Sequence, residues 1–278
     1  MTQTRFTVLD ETRRHPDLAE QIDRILHRVA PTVEETTNLP FPQEVRFRLL
    51  TPKAWRAETH RSRHRILARD IADLKLTPQD IDAIRVVLRI TSFVPALVWP
   101  LVLGSTLETD DGSRETIIAP RALHHGGLLV DEPALHQLVA HELVHQIQAD
   151  GQSGAVWTTY FPQKRGINGR GASTVIEGHA NWADHQVTAR LFGSPADARH
   201  SPKSWRYRAH MAIPGIQRLG PSRAAYEQGS LLIERAVAAG GTDLVNQIWK
   251  DPVFLPTEEE TADPDAWVRR IEQGYLGA

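Results

Sequence analysis

The chain reads as an α+β protein, mainly helical, with a small, mostly antiparallel sheet ahead of one chemically loaded helix and a helical C-terminal part. Three observations predict this class. Leu18, Ile22, Ile25, Leu26 and Val29 recur at helical spacing. Val45-Arg46-Phe47-Arg48-Leu49 alternates as a strand does, and a second alternating stretch follows an Asp110-Asp111-Gly112 turn signal. Beyond residue 130 every periodic segment has helical spacing.

In chain order, residues 16–29 form the first helix, and a Pro- and Thr-rich linker is expected over 31–42. Residues 45–49 are a strand and 52–75 a helix, and Thr77-Pro78-Gln79-Asp80 opens another. Residues 97–107 read as a second strand broken by Pro100, paired in a hairpin with 114–119. Asp131 caps the next helix, Pro133 sits in its first turn, where a missing N–H costs little, and Gly151 closes it. A helix over 175–185 follows, then helices at 224–239, 243–249 and 265–273. The division expected is an N-terminal helical segment and linker, 1–43, and a main domain, 44–278, split into a sheet-bearing part (44–150) and a helical part (151–278).

The helix of 131–150 carries His141-Glu142-Leu143-Val144-His145, an HExxH motif. Residues four apart lie on one helix face, so His141 and His145 can present two imidazoles to one metal ion. Glu142, about 100° round from His141, stands where a general base can take the proton of a metal-activated water. Leu135, Val139, Leu143 and Ile147 form an apolar arc on another face, and no Lys or Arg occurs between Glu132 and Asp150. A helix with one packed face and one face of small and polar groups suits the floor of a cleft.

Catalytic zinc sites use three protein ligands and keep a fourth position open. There is no Cys, and no His follows His145 closely enough for the HExxHxxGxxH pattern. The next candidates lie in Val175-Ile176-Glu177-Gly178-His179-Ala180-Asn181-Trp182-Ala183-Asp184-His185. On a helix Glu177, Asn181 and Asp184 share a narrow angular range, while His179 points to the opposite side. Glu177 is therefore the expected third ligand of one Zn²⁺, although Thr174-x-x-Glu177 also fits a capping box. Asn181 or Asp184 can accept a hydrogen bond from the non-ligating nitrogen of a ligand histidine.

His141 to His145 followed by Glu177 resembles the gluzincin class of zinc metallopeptidases. More closely, residues 175–184, Tyr226-Glu227-Gln228-Gly229, Asn246-Gln247-Ile248-Trp249 and Asp263-Pro264-Asp265-Ala266-Trp267-Val268 resemble the zincin-like metallopeptidase type 2 family. These are bacterial candidate hydrolases linked to deazaflavin-coenzyme biosynthesis. The resemblance spans about residues 117–272 and leaves the first 90 outside. It implies a zincin-like fold, with the metal in a cleft between a sheet-bearing part and a helical part. It also implies a peptide or protein substrate lying along an edge strand supplied by 97–107 or by the hairpin. Many gluzincins have Asp four residues after the ligand Glu; here that position is Asn181, which shifts the supporting role to Asp184. Tyr226 is the first choice for stabilising an oxyanion because it lies in a matching segment, with His200 and His210 as other candidates. The alternative reading is a non-catalytic binding or scaffold protein on the same fold that retains zinc.

Composition bounds the remaining classes. A net charge of −2 does not indicate a polyanion partner. The stretch 46–69 holds eight Lys or Arg against Glu58 alone, and is read as a solvated face rather than a nucleic-acid patch. No apolar run approaches the roughly 20 residues of a membrane span, and residues 1–10 lack a basic-then-apolar signal layout, so a cytoplasmic protein is expected. Trp157 and Trp182 are expected to pack. Oligomeric state and cleavage specificity are not encoded in any pattern found.

Overall fold

The computed structural model of the chain describes residues 4–150, 158–216 and 223–276. In order these form β1 (Arg5–Asp10), α1 (Pro16–Thr37), β2 (Glu44–Leu49), α2 (Pro52–Asp73), α3 (Pro78–Ile90), α4 (Val94–Val98), β3 (Gly104–Glu108), β4 (Arg114–Ile118) and α5 (Pro120–Gly126). There follow α6 (Glu132–Asp150), α7 (Gly169–Phe192), α8 (Trp205–Met211), α9 (Arg223–Val245), α10 (Glu258–Ala262) and α11 (Pro264–Leu276). The class is α+β and mainly helical, as expected.

The sheet departs from the expected pairing. Its order is β1-β2-β4-β3, with β1–β2 and β2–β4 parallel and only β3–β4 antiparallel, so it is mixed rather than mostly antiparallel. Two crossovers explain this: α1 returns the chain from β1 to β2, and the α2–α4 stretch carries it past β2 to the hairpin, and crossovers of that length make parallel pairs. β1 escaped sequence reading because its partly exposed side chains give no clean alternation. The strand expected over 97–107 is shorter. Pro95 starts α4 as a helical residue of the first turn, and the strand itself begins at Gly104.

The expected linker over 31–42 is partly helix. α1 runs through Pro31 to Thr37, where Asn38 closes it in the left-handed conformation at φ 52°. A mid-helix proline costs about 3 kcal/mol, but Ala30, Val33, Thr36 and Thr37 continue the buried face of Leu18 to Val29. That packing outweighs the break. Two expected C-terminal helices are merged in α9, with the kink at Gly241, whose φ of 71° only glycine adopts cheaply.

One apolar core joins α1, α6, α7, α9 and α11, with Trp267, Leu135, Leu143, Val175 and Leu232 among its fully enclosed side chains. Leu135, Val139, Leu143 and Ile147 are all buried in it, as the apolar arc predicted. At roughly 1.5–3 kcal/mol each, they fix the rotation of α6 about its axis and hence where its histidines point. α7 and α9 cross almost in backbone contact: a Cβ on Gly178 would stand 2.2 Å from the carbonyl carbon of Gly229.

Candidate metal centre

α6 starts as the sequence requires, with the Asp131 carboxylate accepting from the Ala134 N–H at 3.1 Å. Two turns on, His141 and His145 project toward α7, where Glu177 stands opposite them. Their Nε2 atoms are 3.2 Å apart, and Glu177 Oε2 lies 3.4 Å from the first and 3.7 Å from the second. Asn168 caps α7 instead of Thr174, accepting from the Arg170 and Gly171 N–H groups, so Glu177 is not engaged in a capping box.

These spacings test whether the residues fit a metal. With bonds of about 2.05 Å, the corners of a tetrahedral zinc site are about 3.3 Å apart, and the three edges here match that to within a few tenths of an ångström. Among the described residues this is the group of His, Asp and Glu side chains able to hold a metal ion.

The surroundings orient the ring of His141. Its Nδ1 lies 2.9 Å from Asp184 Oδ2, and the other oxygen of that buried carboxylate accepts from Gln137 Nε2 at 3.0 Å. Burial disfavours charge on His141, but Asp184 and Glu177 outweigh it and hold its pKa well above the ordinary histidine value. Burial acts on Glu177 in the opposite sense, yet the two imidazoles keep its pKa far below the carboxylate range. Glu177 therefore sits as an anion beside two rings aimed at one point. Asn181 makes no hydrogen bond to either ligand ring among the described residues, so Asp184 alone of the two expected supports meets one.

Glu142 is turned toward the sheet. Thr106 on β3 donates to its Oε2 at 2.9 Å, and Thr106 is itself 2.9 Å from Thr116 Oγ1, which receives Gln146 Nε2 of α6 at 2.8 Å. Burial pushes the Glu142 carboxyl up, against the pull of His145 and His141. Gly104 makes the room: a Cβ there would meet Glu142 Oε1 at 2.5 Å. Thr106 and Gly104 were not legible as site residues, because only the strand's position relative to α6 brings them to Glu142.

Tyr226, near the start of α9, completes the ring of groups, with its ring centroid 6.3 Å from that of His141. Burial and the facing Glu177 carboxylate push its pKa well above the ordinary tyrosine value, so its hydroxyl stays a proton donor. The crossing at Gly178 and Gly229 brings it there, one turn from Gly229 on α9 and beside Glu177 on α7. His200 and His210 do not line the cleft; the first is exposed beside Asp197, and the second faces the Arg206 carbonyl. His179 is not one of the three grouped side chains, but it does not point to the opposite side as projected: its Nδ1 lies 3.1 Å from Gln148 Nε2, and Gln148 in turn meets His145. Burial, with His145 nearby, pushes the His179 pKa down to about 3, and its ring stacks on Trp182. Trp157 lies outside the described residues.

The cleft above these groups has a volume of about 470 Å³. β3, the edge strand of the sheet, forms one side with Gly104, Ser105 and Thr106, and α7 forms the other with Ala172, Ser173 and Ile176. Its far end is anchored by Asp70 of α2. This fully buried carboxylate accepts from the Tyr160 N–H and the Thr159 hydroxyl and pairs with Arg165. The basic stretch is likewise tied down: Arg46 and Arg48 pair with Glu115, Arg61 and Arg65 with Glu58, and Arg69 with Glu108.

An HExxH helix facing a glutamate on the next long helix, beneath a sheet edge, is the arrangement the resemblance to zincins implies. Residues 133–268 match the zincin-like metallopeptidase family, a segment that includes His141, Glu142, His145, Glu177 and Tyr226. The match falls within the stretch 117–272 over which the sequence resembles that family, and it supports a zinc hydrolase. The fold is shared with a Chloroflexus aurantiacus protein whose crystal structure was described as a candidate hydrolase with a novel fold. The TM-score is 0.60 at 18% identity, over 93% of this chain and 91% of that one. No curated protein matches the chain. No described helix is long and apolar enough to cross a membrane.

Proposed function

We propose that the protein is a zinc metallopeptidase that hydrolyses peptide bonds, with His141, His145 and Glu177 holding one Zn²⁺ and Glu142 as general base. The observation that carries the reading is the spacing of the three ligand atoms, 3.2, 3.4 and 3.7 Å, close to the edges of one zinc tetrahedron. When bound, the ion supplies Lewis acidity toward a scissile carbonyl and lowers the pKa of water to about 7.

The chain's own residues supply the rest. Glu142 accepts a proton from the attacking water and returns it to the departing amine nitrogen as the C–N bond breaks. Its burial favours that exchange, because a carboxylate raised in pKa gives up and takes a proton nearer neutrality. Tyr226, still protonated, donates to the oxygen that becomes negative as the carbonyl is attacked. An extended peptide pairs with the free edge of β3, which runs alongside Glu142.

Metal content by mass spectrometry tests the reading, followed by turnover on a broad peptide library. Wild type should hold one zinc per chain and His141→Ala none. Glu142→Gln should retain zinc and lose about 10²–10⁴-fold in turnover. A wild type without stoichiometric metal would overturn the reading, and a zinc protein that cleaves no library member would point to the scaffold alternative.

A further inference from the structure

A histidine binds a metal only through a nitrogen that carries a lone pair, so the ring proton must sit on the other nitrogen. For His141 the matter is settled by Asp184, a carboxylate that only accepts. His145 has no such partner. Its Nδ1 faces Gln148 Oε1 at 2.9 Å, and an amide can turn either an oxygen or an NH₂ toward a neighbour.

α7 decides which. Gln148 Nε2 lies 3.0 Å from the backbone carbonyl of Ile176, which can only accept. Turning the amide over would set oxygen against oxygen at that distance. The same nitrogen is 3.1 Å from His179 Nδ1, so its second hydrogen goes to that ring, and His179 carries its own proton on Nε2. Gln148 and His179 are both buried, and the His179 ring is held between Trp182 and Trp249, with centroids 5.9 and 5.1 Å away. Oε1 is left facing His145, whose Nδ1 must then donate.

We propose that Gln148 is a positioning residue that holds His145 with its proton on Nδ1, and that the Ile176 carbonyl and the His179 ring lock it in that orientation. The inference rests on His145 being a zinc ligand. Ile176 immediately precedes Glu177, so the turn of α7 that offers the third ligand also prepares the second.

The test uses the full chain. Gln148→Met keeps the side-chain length and removes the acceptor. It should weaken zinc binding by about 10–100-fold in chelator competition and speed solvent exchange of the His145 ring proton, followed by ¹⁵N–¹H correlation of the zinc-loaded protein. His179→Phe keeps the stack without an acceptor and should shift both readouts the same way. His179→Asn, whose amide oxygen replaces the ring nitrogen as acceptor, should restore them. Wild type that binds no zinc would sink the metal reading itself. Wild type that binds zinc, with folded Gln148→Met binding as tightly, would overturn the positioning role alone. Equal losses in His179→Asn and His179→Phe would assign the effect of His179 to packing and overturn its part in the lock. If circular dichroism shows Gln148→Met unfolded, the His179 pair decides.

Discussion

Asp184 shows how much one side chain beyond the ligands can carry. Its two oxygens serve His141 Nδ1 and Gln137 Nε2, and an amide could accept from only one of them. Asp184→Asn is expected to weaken zinc about 10–100-fold in chelator competition, with the fold intact by circular dichroism. Gly104 makes a different demand. Gly104→Ala places a methyl 2.5 Å from Glu142 Oε1 and must push the base aside. A displacement near 1 Å costs about 10²-fold in rate, so turnover should fall by that order while zinc content stays at one per chain; loss of zinc with turnover would refute the separation. At this scale the sequence was informative where spacing alone decides. Helical projection separated Glu177 from His179, and it grouped Asp184 with the ligand face. It could not choose between Asn181 and Asp184, which depends on how far α7 is rotated against α6. Nor could it reach Thr106 or Gly104, whose roles depend on a strand some forty positions before the base.

Among elements, the α7–α9 crossing is the most constrained contact. Replacing a mid-helix glycine by alanine gains up to about 1 kcal/mol in helix propensity. At Gly178 the added Cβ would lie 2.2 Å from the Gly229 carbonyl carbon, which is backbone and cannot swing away. Overpacking costs typically about 1–3 kcal/mol, so Gly178→Ala should be a net destabilisation, read as a lower denaturant midpoint. Because Tyr226 rides on α9, turnover should fall further than zinc affinity. A variant more stable than wild type would show that the helices can part without cost. Helices were the legible elements here, since burial of one face imprints their period. The sheet was not. Its parallel pairings follow from where α1 and α2 pack, a tertiary fact, and the proline at 31 reads locally as a break that only the buried face of α1 overrides.

For the whole molecule, the proposed metal ligands come from two helices that share one core. A ligand that binds only the folded state adds stability by mass action, about 4 kcal/mol at a thousandfold excess over its Kd. Stripping zinc with a chelator should therefore lower the melting temperature by several degrees, and adding zinc should restore it. An identical melt with and without chelator would mean that no ion links the two helices.

The family match covers α6 through the first turn of α11, whereas β3, with Gly104 and Thr106, lies upstream of it. The residues proposed to grip the ion and the strand residues that touch the proposed base are thus drawn from separate stretches of one polypeptide. On the proposed reading, substitutions at Ser105 and the other β3 positions lining the cleft would change which substrate is cleaved, with metal affinity left as it was.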